Sequence, residues 1–345
     1  MTAATLSSDG MRRAARTVLE AEAAAERPPY VRSMTEFAIE IHGVGKRFGD
    51  RAALQSIDLQ VPRGCAFGFL GPNGAGKTTL IRLLLGLAKP TTGSMRLLGH
   101  DLPGGAAAAL ARVGAIIEEP RFHGHLTGRE NLHVHAAARE AAAHGRVEGA
   151  LARVGLAKRA GDRVRTYSLG MRQRLGVARC LLSDPELLVL DEPVNGLDPA
   201  GILEFRGLVR SLVAEGRTVW LSSHLLDEVE KTCDVAAIVD RGHVVAQGTI
   251  AELTGGGARA IDLVAAPRAR AASLLAGCAG VARAAEHDGA IRVELTPEAP
   301  PDRDVVTALL RRLLDHGIAV ERVAAVASSL EDRFLISTTR LEDRS

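Results

Sequence analysis

The sequence predicts an α/β domain built around a buried sheet, followed by a smaller α+β domain. Short apolar runs such as Gly64–Leu70 and Leu187–Leu190 alternate with helical patterns and glycine-rich turns from Phe37 to about Leu253. Continuous apolar runs of this length are typical of parallel strands that are covered on both faces. The glycine-rich segment Thr254–Gly257 predicts a linker, and strand and helix patterns resume after it. We therefore expect two domains, each with its own core.

Length and charge limit the classes of protein to which the chain can belong. Its 345 residues suffice for one large domain and one smaller domain. The 43 Lys and Arg residues nearly balance the 41 Asp and Glu residues, so no overall positive field favours nucleic acid as a partner. No apolar run approaches the roughly 20 residues that cross a bilayer, and no secretion signal is recognisable. We expect a soluble, cytoplasmic protein that leaves any membrane-spanning task to another chain.

Residues 1–34 differ in composition from the rest, because Ala, Arg and Glu dominate up to Pro28-Pro29. We expect a disordered leader, or an upstream start codon with true initiation at Met34. The alternative is a marginal helix over Met11–Glu26 that lies on a membrane surface through its arginines. The first clear strand pattern follows Met34, so the large domain is predicted over residues 35–255.

A glycine-rich loop follows the predicted strand Ala66–Leu70 and precedes a helix with periodic leucines, which is the context that a phosphate-binding loop requires. The residues that match its G-x-x-x-x-G-K-[ST] pattern are Gly71, Pro72, Asn73, Gly74, Ala75, Gly76, Lys77 and Thr78. Glycines let backbone N–H groups converge on phosphate oxygens at the positive end of the helix. Lys77 is expected on the β- and γ-phosphates, Thr78 on Mg²⁺ and Thr79 on the α-phosphate. The loop predicts binding of ATP or GTP with Mg²⁺.

A second pair of chemical groups ends the apolar run Leu187–Leu190, where Asp191 and Glu192 stand side by side. The carboxyl ends of parallel strands face the nucleotide crevice. Successive residues of a strand point to opposite sides, so the two carboxylates can serve different purposes. We expect Asp191 to hold Mg²⁺ through water. Glu192 is expected to polarise the water that attacks the γ-phosphate.

Between the two motifs, Thr127–Gly155 is rich in alanine and has no strand signal, which predicts a helical subdomain over about residues 120–180. Its last part is Tyr167–Arg174 (YSLGMRQR), directly upstream of the acidic strand. Together with the phosphate loop, this segment resembles the signature Leu-Ser-Gly-Gly-Gln of ABC (ATP-binding cassette) ATPases. The resemblance extends from Phe37 to Gly255 and implies a P-loop NTPase fold with a mixed sheet and a helical subdomain.

The resemblance also implies a head-to-tail homodimer that closes on two ATP–Mg²⁺, in which the signature contacts the γ-phosphate held by the second subunit. Ser168 and Gly170 match the signature, whereas Leu169 replaces a glycine. Asp198, in Asn195–Asp198, matches the loop that crosses the dimer interface. By the same resemblance Ser168, Gly170 and Asp198 are expected to bind nucleotide.

Three further positions carry roles that the resemblance implies. Phe48 matches the aromatic residue that stacks on adenine; otherwise it is a core residue. His224, at the end of strand Thr218–Ser223, matches the switch histidine that bonds the γ-phosphate and orients Glu192. Glu118 stands where most relatives carry glutamine. It is expected to bind Mg²⁺ or water and to take part in catalysis, although a carboxylate cannot donate an amide hydrogen bond.

Segments Glu118–Pro120, Tyr167–Arg174 and Glu192–Gly201 are similar to the branch of the family that exports antibiotics, lantibiotics or other drugs. This similarity implies an ATP-hydrolysing subunit that energises a separate permease and is peripheral on the cell membrane. An ABC ATPase that acts on the ribosome or on DNA is the alternative, but it usually has two cassettes or a coiled-coil insertion. A P-loop kinase or GTPase is a further alternative, although the Asn-Lys-x-Asp motif of GTPases is absent from the sequence.

The predicted accessory domain covers residues 258–345 and has the order βαββαβ, which suggests a ferredoxin-like fold. Its predicted elements are strand Ala260–Val264, helix Pro267–Ala276, strands Val281–Ala285 and Ala290–Leu295, helix Asp304–His316, strand Ile318–Val323 and a last helix over Leu330–Ser337. Asp288-Gly289 indicates a hairpin between the second and third strands. The domain is expected to stabilise a dimer or, alternatively, to bind a regulatory ligand.

Two sets of residues leave alternatives open. The four cysteines (Cys65, Cys180, Cys233 and Cys278) are scattered, which favours buried apolar residues over a zinc site or disulfides. Five histidines lie close in sequence, namely His123, His125, His133, His135 and His144. They lack the spacing of a typical metal motif, so a polar surface is the simpler interpretation. In the family, segment Glu119–Leu126 lies near the permease, which would give His123 and His125 a contact role.

Overall fold

The computed structural model describes residues 36–255, 260–296, 299, 302–326, 330–331 and 334. The predictions made for residues 1–34 lie outside this range. The chain divides into two compact units, Met1–Thr249 and Ile250–Ser345. Each unit has a separate hydrophobic core.

The first unit alternates strands and helices, as the apolar runs predict. In chain order its elements are β1 (Phe37–Phe48), β2 (Arg51–Pro62), β3 (Ala66–Leu70), α1 (Lys77–Leu84), β4 (Thr92–Leu97), β5 (His100–Leu102), α2 (Ala106–Leu110), β6 (Val113–Ile116), α3 (Gly128–Ala137), α4 (Ala142–Gly145), α5 (Val147–Arg153), α6 (Leu169–Leu181), β7 (Leu187–Asp191), α7 (Pro199–Ala214), β8 (Thr218–Ser223), α8 (Leu226–Thr232), β9 (Val235–Asp240) and β10 (His243–Thr249). Short 3₁₀ turns at Ala157–Arg159 and Val164–Thr166 precede α6.

These strands form two sheets. The first is antiparallel, with the order β2-β1-β4-β5. The second has the order β10-β9-β3-β8-β7-β6, and its strands are parallel except that β10 runs antiparallel to β9. The expectation of a mixed sheet is therefore confirmed. Because β3, β7 and β8 are parallel neighbours, their carboxyl ends meet at one edge, and the segments after them come together there.

The core of the second sheet is aromatic as well as aliphatic. Phe67 and Phe69 of β3 pack against Trp220 of β8, with ring centroids 5.0 and 5.1 Å apart. The three side chains are fully buried. This packing fixes β3 beside β8 and so fixes the spacing between the segments that leave their carboxyl ends.

The segment between β6 and β7 is helical, in agreement with the alanine-rich pattern. Helix α3 begins with a capping box, because Thr127 Oγ1 accepts from the Glu130 backbone N–H at 3.1 Å and the Glu130 carboxylate accepts from Thr127 N at 2.7 Å. The side chain of buried Asn131 bonds the backbone of His123 twice, because its Oδ1 accepts from His123 N and its Nδ2 donates to the His123 carbonyl. These bonds tie the loop before α3 to the helix itself.

The second unit contains α9 (Ile250–Gly255), β11 (Ala260–Ala266), α10 (Arg268–Ala276), β12 (Val281–His287), β13 (Ala290–Leu295), α11 (Asp302–Asp315) and β14 (Ala319–Val326). From β11 onwards the order is βαββαβ, and the sheet order β12-β13-β11-β14 is antiparallel throughout. Asp288 and Gly289 both have positive φ, as a tight hairpin turn with a primed geometry requires.

The structure differs from the predicted linker Thr254–Gly257 and describes part of the predicted helix Leu330–Ser337. Thr254 and Gly255 do not belong to a linker, because they form the last turn of α9 and Thr254 Oγ1 bonds the Ile250 carbonyl at 2.8 Å. The remaining linker residues lie outside the described residues. Of the last predicted helix, the described residues 330, 331 and 334 are helical.

The cysteines are free thiols. Cys65, Cys180 and Cys233 are buried, and burial raises the pKa of Cys65 to about 12 and that of Cys180 to about 11. Thiols of such high pKa are poor nucleophiles and poor metal ligands at neutral pH. The interpretation as small apolar core residues therefore fits these three positions.

Candidate active site

The loop between β3 and α1 closely approaches the neighbouring strands. Gly71 N donates to the Ser223 carbonyl at 3.3 Å. A Cβ atom at Gly71 would lie 2.2 Å from the Val239 carbonyl oxygen, so no larger residue fits. Gly76 has a φ of 109°, which only glycine adopts readily, and α1 begins immediately after it. The loop therefore delivers the positive end of α1 to the edge of the sheet.

Lys77, the first residue of α1, is 6% exposed. Its Nζ donates to the carbonyls of Gly71 at 2.7 Å and Pro72 at 3.3 Å, and it lies 3.2 Å from Glu192 Oε1. The ammonium group is thus held inside the loop by its backbone, with one carboxylate as counter-charge. An anion entering the loop would meet this charge directly.

Asp191 ends β7 and is buried. Its Oδ2 accepts from Thr78 Oγ1 at 2.9 Å, and its Oδ1 accepts from Ser222 Oγ. A carboxylate and a hydroxyl oxygen that meet in this way are the hard donors that Mg²⁺ prefers. The donor set at Thr78 and Asp191 therefore fits Mg²⁺.

Glu192, the next residue, points elsewhere because its φ is +48°, in the left-handed region. Such a conformation costs about 1–3 kcal/mol and is characteristic of functional sites. The turn is held by Ser222, whose Oγ accepts from Glu192 N at 2.9 Å. The Glu192 carboxylate lies between Lys77 and His224, with Oε2 2.8 Å from His224 Nδ1. The backbone turn thus separates the two adjacent carboxylates, because Asp191 meets the Thr78 hydroxyl and Glu192 meets His224.

An open cavity of about 720 Å³ lies against the loop. Of the predicted site residues, it is lined by Phe48, Asn73, Gly74, Gly76, Lys77, Thr78, Thr79 and Glu192. Phe48 is 56% exposed and carries the Lys46 ammonium 4.7 Å from its ring centroid, so it is not a core residue. The cavity brings an aromatic face, the phosphate loop and a catalytic carboxylate candidate to one place.

A second cavity of about 390 Å³ adjoins the carboxylates. Its lining consists of Thr78, Glu118, Glu119, Leu169, Gln173, Asp191, Glu192 and Asn195. Glu118 therefore lies at the cavity that Asp191 and Glu192 share. Its carboxylate is exposed and accepts from Arg82 at 3.1 Å, and its φ is +63°. The side chain expected to bind Mg²⁺ is thus paired with an arginine of α1.

The signature segment forms the start of α6. Ser168 caps this helix, since its Oγ accepts from Met171 N at 3.2 Å. Leu169, which replaces a glycine of the signature, has its Cδ2 2.9 Å from where a Cβ of Gly196 would lie. Asp198 caps α7 by accepting from Gly201 N at 2.9 Å. Among the described residues of this one chain, Ser168, Gly170 and Asp198 do not line the cavity beside the phosphate loop.

The structure adds several residues to the site that the sequence motifs do not predict. Ser222 binds both Asp191 and the Glu192 backbone. Gln173 is 5% exposed and lines the second cavity, and its Oε1 has no hydrogen-bond partner among the described residues. Arg51 and Arg241 line the first cavity. Two features of the sequence could have indicated these residues. Ser222 lies near the end of a predicted strand, and Gln173 follows Leu169 by four residues, which puts both on one helix face.

The histidines of the helical region come together only in pairs. The rings of His123 and His125 lie 5.9 Å apart, and those of His133 and His144 lie 5.7 Å apart. Within the described ranges, no three His, Cys, Asp or Glu side chains are grouped as a metal site would require. In the same ranges, none of the helices combines the length and the apolar character that a membrane span needs.

Comparison with known proteins identifies a family and, in addition, relatives that match most of the chain. A sequence model of the family described as ABC transporter matches residues 54–195. The chain is 37% identical over 300 residues to the bacitracin transport ATP-binding protein BcrA of Enterococcus faecalis, covering 87% of this chain and 96% of that protein. It is 39% identical over 310 residues to the daunorubicin resistance ATP-binding protein DrrA3 of Streptomyces coeruleorubidus, covering 88% and 96%.

Among solved structures, cbiO1 of Clostridium perfringens, part of the ABC transporter complex cbiONQ, is similar in fold and in sequence. The TM-score is 0.60 at 26% identity, and the match covers 64% of this chain and 91% of that one. The fold therefore agrees with what the motifs predict.

Proposed function

The chain belongs to the family of ABC transporter ATP-binding subunits, which hydrolyse ATP, and from this membership we propose that it powers the export of an antibiotic, a peptide or another drug through a separate membrane permease. The observation that carries the use of ATP in this proposal is one cavity that joins Phe48, the phosphate loop and Glu192. The names of the bacitracin and daunorubicin relatives support export as the direction of transport. An association with the cell membrane would then come through the permease.

Within the cavity, we assign each end of ATP to the residues whose chemistry matches it. Adenine stacks on the exposed ring of Phe48. The phosphates occupy the loop 71–79, where Lys77 exchanges part of its contact with Glu192 for phosphate oxygens. Thr78 and Asp191 would hold Mg²⁺, which would neutralise charge on the phosphate oxygens. Glu118, which lines the cavity next to Asp191 and pairs with Arg82, could supply a further carboxylate oxygen for this ion.

Hydrolysis then depends on Glu192 and His224. Glu192 accepts a proton from the attacking water, whose oxygen bonds to the γ-phosphorus as the bond to the ADP oxygen breaks. His224 orients the Glu192 carboxylate towards this water, because its Nδ1 lies 2.8 Å from Glu192 Oε2. Positioning and charge neutralisation are the main contributions of the protein in such a reaction.

We propose a homodimer as the active form. Ser168, Gly170 and Asp198 lie outside the first cavity of their own chain, which supports a contact with nucleotide held by a second copy. We also propose that residues 35–255 form the ATP-binding domain, with its helical subdomain at about 120–180. Residues 258–345 would form the accessory domain that stabilises the dimer.

The aromatic residue gives a first prediction. Phe48→Ala removes the stacking surface, which should weaken ATP binding by about 1–3 kcal/mol, or about 5- to 150-fold in Kd. Phe48→Trp should retain wild-type affinity, because any flat aromatic ring provides the same face. Titration with a fluorescent ATP analogue measures both, and Leu87→Ala, at another exposed apolar residue, serves as the control. Unchanged affinity in Phe48→Ala would remove Phe48 from the site.

The proposed transport function is tested by capturing the tagged chain from the membrane fraction of its own cells. A copurifying protein with about six membrane spans is expected. Deletion of the gene should sensitise the cells to a toxic compound, and a Lys77→Ala copy should fail to restore resistance. Recovery of ribosomes in place of a membrane protein would instead favour the alternative of an ABC ATPase in translation.

A further inference from the structure

The two catalytic segments each lead into a helix, and these helices touch. Helix α7 begins at Pro199, directly after the loop that starts at Glu192, and α8 begins at Leu226, two residues after His224. The helices contact each other, and they also pack on the central sheet, α7 on β8 and α8 on β3. Any shift of one helix against the other would therefore act on the segments that carry Glu192 and His224.

A largely buried ion pair joins the two helices. Arg206 of α7 donates to Glu228 Oε2 at 3.0 Å, and the two side chains are 21% and 20% exposed. The neighbouring side chains Phe205 and Val229 are buried. An ion pair in such surroundings is costly to break on one side, because the remaining charge stays buried without a partner.

A small cavity of about 20 Å³ lies beside this pair, directly behind the catalytic segments. Its lining includes Pro193 and Val194, which follow Glu192, and Ser222 and Ser223, which precede His224. Arg206 also lines it, and the Nε of this residue is buried with no hydrogen-bond partner among the described residues. A space of this size can hold one water molecule, which would give the Arg206 Nε an acceptor.

The pair is also connected to the site through Ser222. The Ser222 hydroxyl donates to the Asp191 carboxylate and accepts from the Glu192 backbone N–H. Ser222 also lines the small cavity, as Arg206 does. The small cavity thus places Arg206 and Glu228 beside the residue whose hydroxyl holds the Glu192 backbone. Neither Arg206 nor Glu228 lines the cavity beside the phosphate loop.

We propose that Arg206 and Glu228 are positioning residues. Their ion pair, here named the latch, keeps His224 and Glu192 at the distance and orientation that hydrolysis requires. The latch rests on the proposed function, because it acts through Glu192 as the group that accepts the proton from water. It does not touch the nucleotide. Its loss should therefore change the rate of the chemical step and leave nucleotide affinity as it was.

The test compares ATPase kinetics of the full chain and four variants. Glu228→Gln, which preserves shape, and Arg206→Ala should each lower kcat by about 10- to 100-fold, the range expected when catalytic groups are displaced by a fraction of an ångström to 1 Å. KM for ATP and the Kd of a fluorescent ATP analogue should stay within twofold of wild type. Arg206→Lys, which keeps the charge, should recover most of the rate.

Arg210→Ala is the matched control, because Arg210 joins the same two helices at the exposed side by donating to the Lys231 carbonyl at 2.6 Å. It should keep the wild-type kcat. If the pair is merely structural, Glu228→Gln should have a lower melting temperature but a wild-type kcat at temperatures below its melting transition. That result would overturn the latch. Equal losses of kcat in Arg206→Ala and Arg210→Ala would also overturn it. A wild-type chain without ATPase activity would instead refute the proposed function.

Discussion

Replacement of Glu192 by glutamine should stop ATP turnover and leave ATP binding intact. The Glu192 carboxylate lies between Lys77 and His224, 2.8 Å from the histidine, whereas Asp191 is occupied by Thr78 and Ser222. Glutamine keeps the size of the side chain but cannot accept the proton of the attacking water. We expect a loss of about 10²- to 10⁴-fold in kcat, as is typical when a general base is removed.

Phosphate release from ATP–Mg²⁺ measures turnover, and equilibrium titration with ATP measures binding. Glu140→Gln, at an exposed carboxylate that pairs with Arg146 in the helical region, is the control and should keep wild-type turnover. Rapid hydrolysis by Glu192→Gln would show that another group activates the water. In that case Glu118 becomes the first candidate, because it lines the same cavity.

Replacement of Lys77 by alanine should strongly weaken ATP binding and abolish turnover. Lys77 is 6% exposed and is held by the carbonyls of Gly71 and Pro72 inside the loop. Its loss removes the ammonium group that phosphate would meet and leaves Glu192 without its counter-charge at 3.2 Å. A charge-assisted hydrogen bond contributes about 1.5–3 kcal/mol. ATP affinity should therefore fall by about 10- to 100-fold or more.

The same titration with a fluorescent ATP analogue measures this loss, and circular dichroism shows whether the variant is folded. Lys158→Ala, at an exposed lysine, should bind as the wild type does. Wild-type affinity in folded Lys77→Ala would contradict the assignment of the loop. The two variants also separate binding from chemistry, because only Lys77→Ala should lose affinity.

The parts of the site that the sequence predicts are those that depend on local chain geometry. The loop 71–79 must lie between a strand and a helix, and the residues after β7 and β8 must meet at one sheet edge because the strands are parallel. The βαββαβ order after Ala260 was likewise readable, since apolar alternation and the Asp288-Gly289 turn are local signals.

The parts that sequence could not supply depend on contacts between distant segments. The bonds of Ser222 to Asp191 and Glu192 arise from the pairing of β7 with β8. The pairing of Glu118 with Arg82 depends on how the loop after β6 passes α1, and a turn at positive φ is not expected of a glutamate. The sequence does not predict the last turn of α9, because Thr254-Gly255 looks like the start of a glycine linker.

In the proposed homodimer, this chain supplies half of a shared ATP site. Sedimentation of Glu192→Gln with ATP and Mg²⁺ tests it most directly, because bound ATP is not consumed while mass and nucleotide content are measured together. We predict a species of two chains that carries two ATP molecules and falls apart when ATP is replaced by ADP. A chain that stays monomeric with ATP bound at saturation would contradict the claim.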